Sequence, residues 1–411
     1  MATLFLGSYD TGKRPLSRKD YLKPYHIDGL LLHKVSFRDD DRTKWRSFRE
    51  VSGANVRSLQ QFLLQAGFMP RASLDGVFGY VTQAAVRLFQ EYVRTIDGVT
   101  TMIPDGFVGK TTLQHMDRWK QEGKVSEWGK ASSNTPTLAY SDWMTLLGKA
   151  KKHYLAKPGP IVQKLNATSH TGSTKKTADW TFDPNAIHLI GVRRNQTTRV
   201  HTRTNDDLFF LLINGMVFTF WGSTDASASM ANRAHEAFLI EGQHVYRFGW
   251  HKITNEKKIY RALKPQHASG VAIVRDWDND NALTNSDLQV VNVNGNKKNL
   301  EINNSINIHW TGVGTANFSA GCQVIAGKSY LNHHGTLQDC SHFASKSYAG
   351  LSNAKKKTKG AYNVFTDLLL CYAKEGVQEL YYTLGRQESL ALDTNFGVDY
   401  ADKAITKLKA I

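Results

Sequence analysis

Apolar residues recur at helical spacing early in the chain. Val56, Leu59 and Leu63 fall on one helical face, and Thr82, Ala85, Val86, Phe89 and Val93 fall on another. Between them lies Asp75-Gly76-Val77-Phe78-Gly79-Tyr80-Val81-Thr82, and the same device returns as Asp105-Gly106-Phe107-Val108-Gly109-Lys110-Thr111-Thr112. In each, Asp-Gly makes a turn, the second glycine ends it, and the threonine falls where a helix is capped. Residues 121–141 then read as a linker, and a helix is expected around Trp143–Tyr154. From about residue 180 the period changes to that of strands. Asp207–Ile213 and Met216–Trp221 flank Asn214-Gly215, a two-residue hairpin signal. Further strands are expected at His244–Trp250, Val271–Trp277, Ser305–Trp310, Gln323–Ile325 and Glu379–Leu384, with a helix over Tyr362–Ala373. The pattern predicts a multidomain α+β chain: a small all-α bundle, then a mostly-β domain with a few helices.

A chain of 411 residues exceeds one ordinary hydrophobic core. The boundaries expected are an N-terminal extension over 1–46, a helical domain over 47–120, a linker and helical connector over 121–180, and the β-rich domain over 181–411. The net charge of +16 favours a polyanionic partner. No nucleic-acid fold signature accompanies it, so nucleic acid is not expected as a partner. No apolar run is long enough for a membrane span. The N-terminus shows no basic stretch leading into a long apolar one, so no secretory signal is read.

Three cysteines (Cys322, Cys340, Cys371) do not make a disulfide framework. Cys322 stands in Ser319-Ala320-Gly321-Cys322-Gln323, thirteen positions after His309 on the apolar run Ile306–Trp310. A thiolate is the attacking form of cysteine, and a neighbouring imidazole takes the thiol proton. Gly321 lets backbone N–H groups crowd the nucleophile, as an oxyanion hole requires. Ser319, Gln323, Arg247, Tyr246 and His251 are read as substrate contacts. Arg247 suits a bidentate hold on a carboxylate, and His251 suits a second imidazole at the site.

On His309, Ser319, Gly321 and Cys322 the segment resembles the YkuD-type L,D-transpeptidase family. That signature is a histidine, a spacer, then Ser/Thr-His-Gly-Cys and a polar residue. Two positions depart from it: Ala320 stands where the family has a second histidine, and Gln323 where it usually has Arg or Asn. Leu59-Gln60, the Asp-Gly-x-x-Gly-x-x-Thr turn and Phe89-Gln90 resemble the three-helix peptidoglycan-binding domain. Together the resemblances imply a cysteine-dependent enzyme of L,D-transpeptidase or L,D-carboxypeptidase type, acting through an acyl-enzyme on peptidoglycan stem peptides. They imply a YkuD-like β-rich catalytic domain and no cofactor. With no secretory signal read, the expected setting is an antibacterial effector; the alternatives are a phage lytic enzyme or, given Ala320 and Gln323, a non-catalytic wall-binding or structural protein with a degenerate transpeptidase domain. Such an effector is made in the cytoplasm and delivered non-classically to the periplasm or wall of a target cell. A secretion-apparatus component and an immunity protein are its expected partners.

His333, His334, Cys340 and His342 lie close together, but their spacing fits no common zinc pattern, so no metal is assigned. Lys355, Lys356, Lys357 and Lys359 read as a solvated loop. Asp276 and Asp278 read as an acidic turn, also solvated.

Overall fold

The computed structural model describes residues 3–14, 49–69, 74–194, 204–226, 235–251, 260–279, 283–288, 300–351, 355–374, 377 and 379–411. Most of the expected N-terminal extension (1–46) lies outside these residues. Its first part does not stand apart: Leu4 and Leu6 are buried in the core, and β1 (Ser8–Asp10) pairs in parallel with β2 (Arg49–Val51).

Three helices build the N-terminal unit: α1 (Asn55–Gln65), α2 (Tyr80–Thr95) and α3 (Lys110–Glu122). The first N–H groups of a helix have no partner within it. Those of Val56 and Arg57 donate to the two carboxylate oxygens of Asp10, at 2.7 and 2.9 Å. The two Asp-Gly turns are each held by one buried glutamine. Gln60 Nε2 donates to Asp75 Oδ1, Val77 O and Thr82 Oγ1, while its Oε1 accepts from Gly76 N–H. Thirty residues on, Gln90 repeats this with Asp105, Phe107, Thr112 and Gly106. The threonines therefore do not cap their helices, as the sequence suggested. They complete a glutamine's hydrogen bonds.

The expected linker is packed structure. α4 (Glu127–Lys130) buries Trp128 edge-on to Tyr92 and Phe218. After it come α5 (Leu138–Ala156), α6 (Pro160–Ala167) and β3 (Thr174–Lys175). The β-rich region runs through β4 (His188–Arg193), β5 (Asp207–Ile213), β6 (Met216–Ser223), β7 (Ala237–Leu239), β8 (Gly242–His251), β9 (Tyr260–Pro265) and β10 (Val271–Arg275). It continues with β11 (Glu301–Asn303), β12 (Ile308–Trp310), β13 (Gln323–Ile325), β14 (Ser329–Leu331), β15 (Leu337–Asp339), α7 (Ala361–Tyr372), β16 (Glu379–Arg386), α8 (Leu392–Phe396) and α9 (Tyr400–Lys409). In the β5–β6 hairpin, Asn214 and Gly215 both take the positive φ that a primed turn needs.

The main sheet closes on itself in the order β4-β5-β6-β13-β12-β9-β8-β16, and β16 pairs back on β4. The ring is antiparallel except at β16–β4 and β12–β13. Strand alternation divides its side chains. Phe209, Leu211, Phe218, Phe220, Phe248 and Tyr382 share one core with α7 and α2. Leu208, Phe210, Leu212 and Trp221 join a second core with α5, α8 and α9. No helix among the described residues is long and apolar enough to cross a membrane.

The helical unit and the barrel form one continuous core. Every residue of α7 is buried, and α2 is buried along nearly its whole length. Arg87 of α2 clamps Asp367 of α7 with two hydrogen bonds of 2.8 and 2.9 Å. Arg261 of β9 reaches the same carboxylate at 2.7 Å, and all three side chains are sealed from solvent. A second cluster joins Arg94 and Glu91 of α2 to the Tyr330 hydroxyl and the Asp339 carbonyl.

Removing one member of a buried ion cluster strands the remaining charge. Asp367→Ala is expected to lower unfolding stability by about 3–5 kcal/mol in urea titrations, whereas the triple change Arg87→Met, Asp367→Leu, Arg261→Met costs much less. His244 supplies a pH dependence. Its Nδ1 lies 2.9 Å from the Thr174 hydroxyl and its Nε2 lies 3.0 Å from the Ile240 carbonyl, which fixes a neutral ring. Burial depresses its pKa to about 3. Below about pH 6.5 the unfolded chain binds a proton there that the folded chain refuses, so stability falls as pH drops. His244→Gln is expected to remove up to about 1.4 kcal/mol per pH unit of that slope between pH 6 and 4.

Candidate active site

Parallel neighbours need a crossover of about a dozen residues. The thirteen-residue step from His309 to Cys322 is that crossover, from β12 to β13. The register pairs Ile308 with Gln323, His309 with Val324 and Trp310 with Ile325. One step back, Gln323 N–H donates to Asn307 O at 2.9 Å, which sets Cys322 beside Asn307. Alternation then puts Asn307, His309 and Cys322 on one face, opposite to Ile308 and Gln323. The Cys322 sulfur accepts from Asn307 N–H at 3.4 Å and donates to Ser305 O at 3.2 Å. All three cysteines are free, and only Cys322 is not buried. Burial pushes the Cys340 thiol well above its usual range and leaves it inert.

His309 is half-buried, with Nδ1 at 3.0 Å from its neighbour's carbonyl, Trp310 O. A carbonyl only accepts, so in the tautomer that makes this bond Nδ1 carries the proton and Nε2 does not. That is the tautomer of a general base. The orienting group is thus a backbone oxygen, supported by Tyr260, whose hydroxyl lies 3.1 Å from Nδ1 and 3.4 Å from the same carbonyl. Tyr260 accepts from the Tyr348 hydroxyl at 3.0 Å. Burial holds the Tyr260 phenol well above its usual range and Tyr348 at about 12, so both stay uncharged. Lys359 is not solvated. It is fully buried, with its ammonium 4.9 Å from the Tyr260 ring centre and 5.2 Å from that of Trp310.

The loop ahead of the nucleophile alternates strictly. Asn317, Ser319, Gly321 and Gln323 are buried, while Phe318 and Ala320 are exposed and Cys322 is half-buried. Several expected roles change for this reason. Gln323 contacts no substrate: its side chain donates to Thr224 O at 3.1 Å and accepts from the Tyr382 hydroxyl at 3.0 Å. Ser319 is a turn former, donating to Cys322 O at 2.7 Å. It also accepts the Gly321 N–H at 3.3 Å, which removes that N–H from any oxyanion hole. Gly321 is required for conformation: its φ is +134°, and a Cβ would stand 2.7 Å from Ala237 O. Beneath the loop, Arg193 binds Thr224 O and pairs with Asp225 at 3.0 Å. Burial, aided by Asp225, raises the carboxyl of Asp207 to about 8.

Tyr246 points away from the site; it is fully buried and donates to Ile306 O at 3.0 Å. Arg247 shares the face of His251 but lies four residues back along β8, about 13 Å away at 3.3 Å per residue. His251 does reach the site. Its ring stacks on His309 with centroids 4.2 Å apart and planes at 20°. The acidic turn is not solvated at Asp276, which is buried with Asp287 beside the exposed Asp278.

The histidine-rich stretch makes a clasp between domains. His333 and His334 meet Glu127 Oε2 at 2.9 and 2.8 Å. The Trp128 indole N–H, which can only donate, points at His333 Nδ1 at 3.1 Å. His333 Nε2 must therefore hold the proton given to Glu127, so no lone pair of that ring is left for a metal. Cys340 and His342 take no part.

Comparison with known proteins bears on the helical unit. Residues 52–116 match the family model described as a putative peptidoglycan binding domain. The chain carries that domain, and peptidoglycan is its partner. No curated protein matches the chain. Among solved structures, a fused zinc-dependent amidase/peptidase/peptidoglycan-binding domain-containing protein from Clostridium acetobutylicum is similar at 13% identity. The match covers 81% of this chain and 96% of that one, with a TM-score of 0.22, too low to carry an argument.

Gly321→Ala is expected to displace the loop at Ala237. Alkylation of Cys322 by iodoacetamide, followed by peptide mass spectrometry, should fall at least tenfold while Cys340 and Cys371 stay unlabelled.

Proposed function

We propose that the chain is a cysteine-dependent enzyme of L,D-transpeptidase or L,D-carboxypeptidase type that acts on peptidoglycan stem peptides. One observation carries the reading: a half-exposed sulfur lies on the same face as an imidazole on the neighbouring strand. That imidazole's Nδ1 is committed to Trp310 O, so its Nε2 is left basic. The peptidoglycan-binding unit supplies the substrate class.

In this mechanism His309 Nε2 takes the Cys322 thiol proton, and the sulfur attacks the carbonyl of an amide between an L- and a D-centre. The C–S bond forms, the C–N bond breaks, and the proton passes from His309 to the leaving amine. A second amine or a water then attacks the thioester. His309 accepts the incoming proton, and the C–S bond breaks to return the thiol. An amine acceptor gives transpeptidation, and water gives peptidase cleavage.

Muropeptides incubated with wild-type protein are expected to change mass by a lost residue or a new cross-link. Cys322→Ala and His309→Ala should each lower conversion by at least about 10²-fold with unchanged melting temperature. Full conversion by Cys322→Ala would eliminate the proposal.

A further inference from the structure

His251 ends β8 and Tyr260 opens β9 directly opposite it. His309 sits on β12, on the far side of β9, so the two histidines belong to strands that are not neighbours. The register explains how their rings meet. Ile308 pairs with Leu263, which sets His309 across from Ala262, and Ala262 in turn pairs with Gly249 on β8. Two small residues in a row leave a shallow trough across the strands, and the two imidazoles lie in it face to face at 4.2 Å.

The other edge of His251 meets the residue beside the nucleophile. Asn307 Nδ2 lies 3.4 Å from His251 Nδ1, and the backbone N–H of Asn307 donates to the Cys322 sulfur. Asn307 is only 7% exposed, and its Oδ1 has no hydrogen-bond partner among the described residues. A buried amide without a full set of partners is costly unless its place serves the site. His251 thus touches both the base and the residue next to the sulfur.

Trp310 O and the Tyr260 hydroxyl both meet the His309 ring at one edge, at Nδ1. The His251 ring laid flat against it supports its face. We infer that His251, held by Asn307, is a positioning residue that clamps the His309 imidazole in the plane from which Nε2 meets the Cys322 thiol. The inference rests on the acyl-transfer reading above. Displacing a catalytic group by about 1 Å can cost about 10²-fold in rate, which sets the size of effect expected.

The test follows two quantities on the full chain: the pH dependence of Cys322 alkylation by iodoacetamide, and kcat and KM on muropeptides. Besides the two histidines, the titratable groups facing the pair are Cys322, Tyr260, Tyr348 and Lys359, all left intact. His251→Ala is expected to move the alkylation profile about one pH unit towards that of an ordinary thiol. It should lower kcat about 10- to 100-fold, with KM unchanged. His251→Phe keeps a flat ring without a titrating nitrogen and should stay within about threefold of wild type. Asn307→Ala keeps the ring and loses the same contact, so it should match His251→Phe.

Wild-type behaviour in His251→Ala overturns the inference. So does a His251→Phe protein as impaired as His251→Ala, because the ring's nitrogens rather than its stacking would then matter. A wild-type Cys322 that alkylates as an ordinary thiol and converts no muropeptide overturns the acyl-transfer reading, and the clamp with it. If His251→Ala does not fold, the Phe and Asn307 variants decide alone: a loss of about tenfold or more in both sinks the clamp.

Discussion

A single carboxylate ties this protein together. Asp367 lies between Arg87 of the peptidoglycan-binding unit and Arg261 of the barrel, with no solvent around any of them. Two guanidiniums share this one buried carboxylate, so removing it strands charge in the interior. Separating the two domains would strand charges on both sides. The ion cluster therefore fixes how they meet. It also sits one residue from Tyr260, whose hydroxyl lies against the His309 imidazole.

This changes what a wall-binding unit does for a site. A flexible tether raises the local concentration of substrate without fixing its pose. Here the buried helix α2 is shared core, the Glu127–His333–His334 clasp closes one seam, and Arg94 closes another. The polymer held by the helical unit thus stands at a fixed offset from Cys322. Only the outer faces of α1 and α3 remain open, at residues such as Arg57, Gln61, Gln114 and Arg118, because the barrel has taken the face of α2.

The sequence disclosed what is local and hid what is tertiary. The Asn214-Gly215 hairpin, the twin Asp-Gly turns and the His309–Cys322 step were readable because turn chemistry and crossover length act over a few residues. The short helices α6, α8 and α9 escaped notice, although Ala401, Ile405 and Leu408 do recur at helical spacing within the lysine-rich Tyr400–Lys409. Lys359 looked like one more exposed lysine in a run. Only the fold turns it inward beneath Tyr260 and Trp310. Gln323 and Ser319 looked like substrate contacts for being next to the nucleophile, yet adjacency in an extended chain sends alternate side chains to opposite sides. Their burial is what lets Cys322 face outward.

That alternation links the scaffold to the chemistry. Gln323 and Ser319 satisfy inward-facing polar groups, and Gly321 takes a backbone angle that no side chain could share with Ala237. With those three residues fixed, the sulfur's direction is set by the β12–β13 register together with its contacts to Asn307 N–H and Ser305 O. The base is set separately, by Trp310 O and Tyr260 on one edge and the His251 ring on its face. His309 and Cys322 are therefore brought together by the direct pairing of β12 with β13. Slipping that register by one residue would send one of the two side chains to the opposite face without altering either residue.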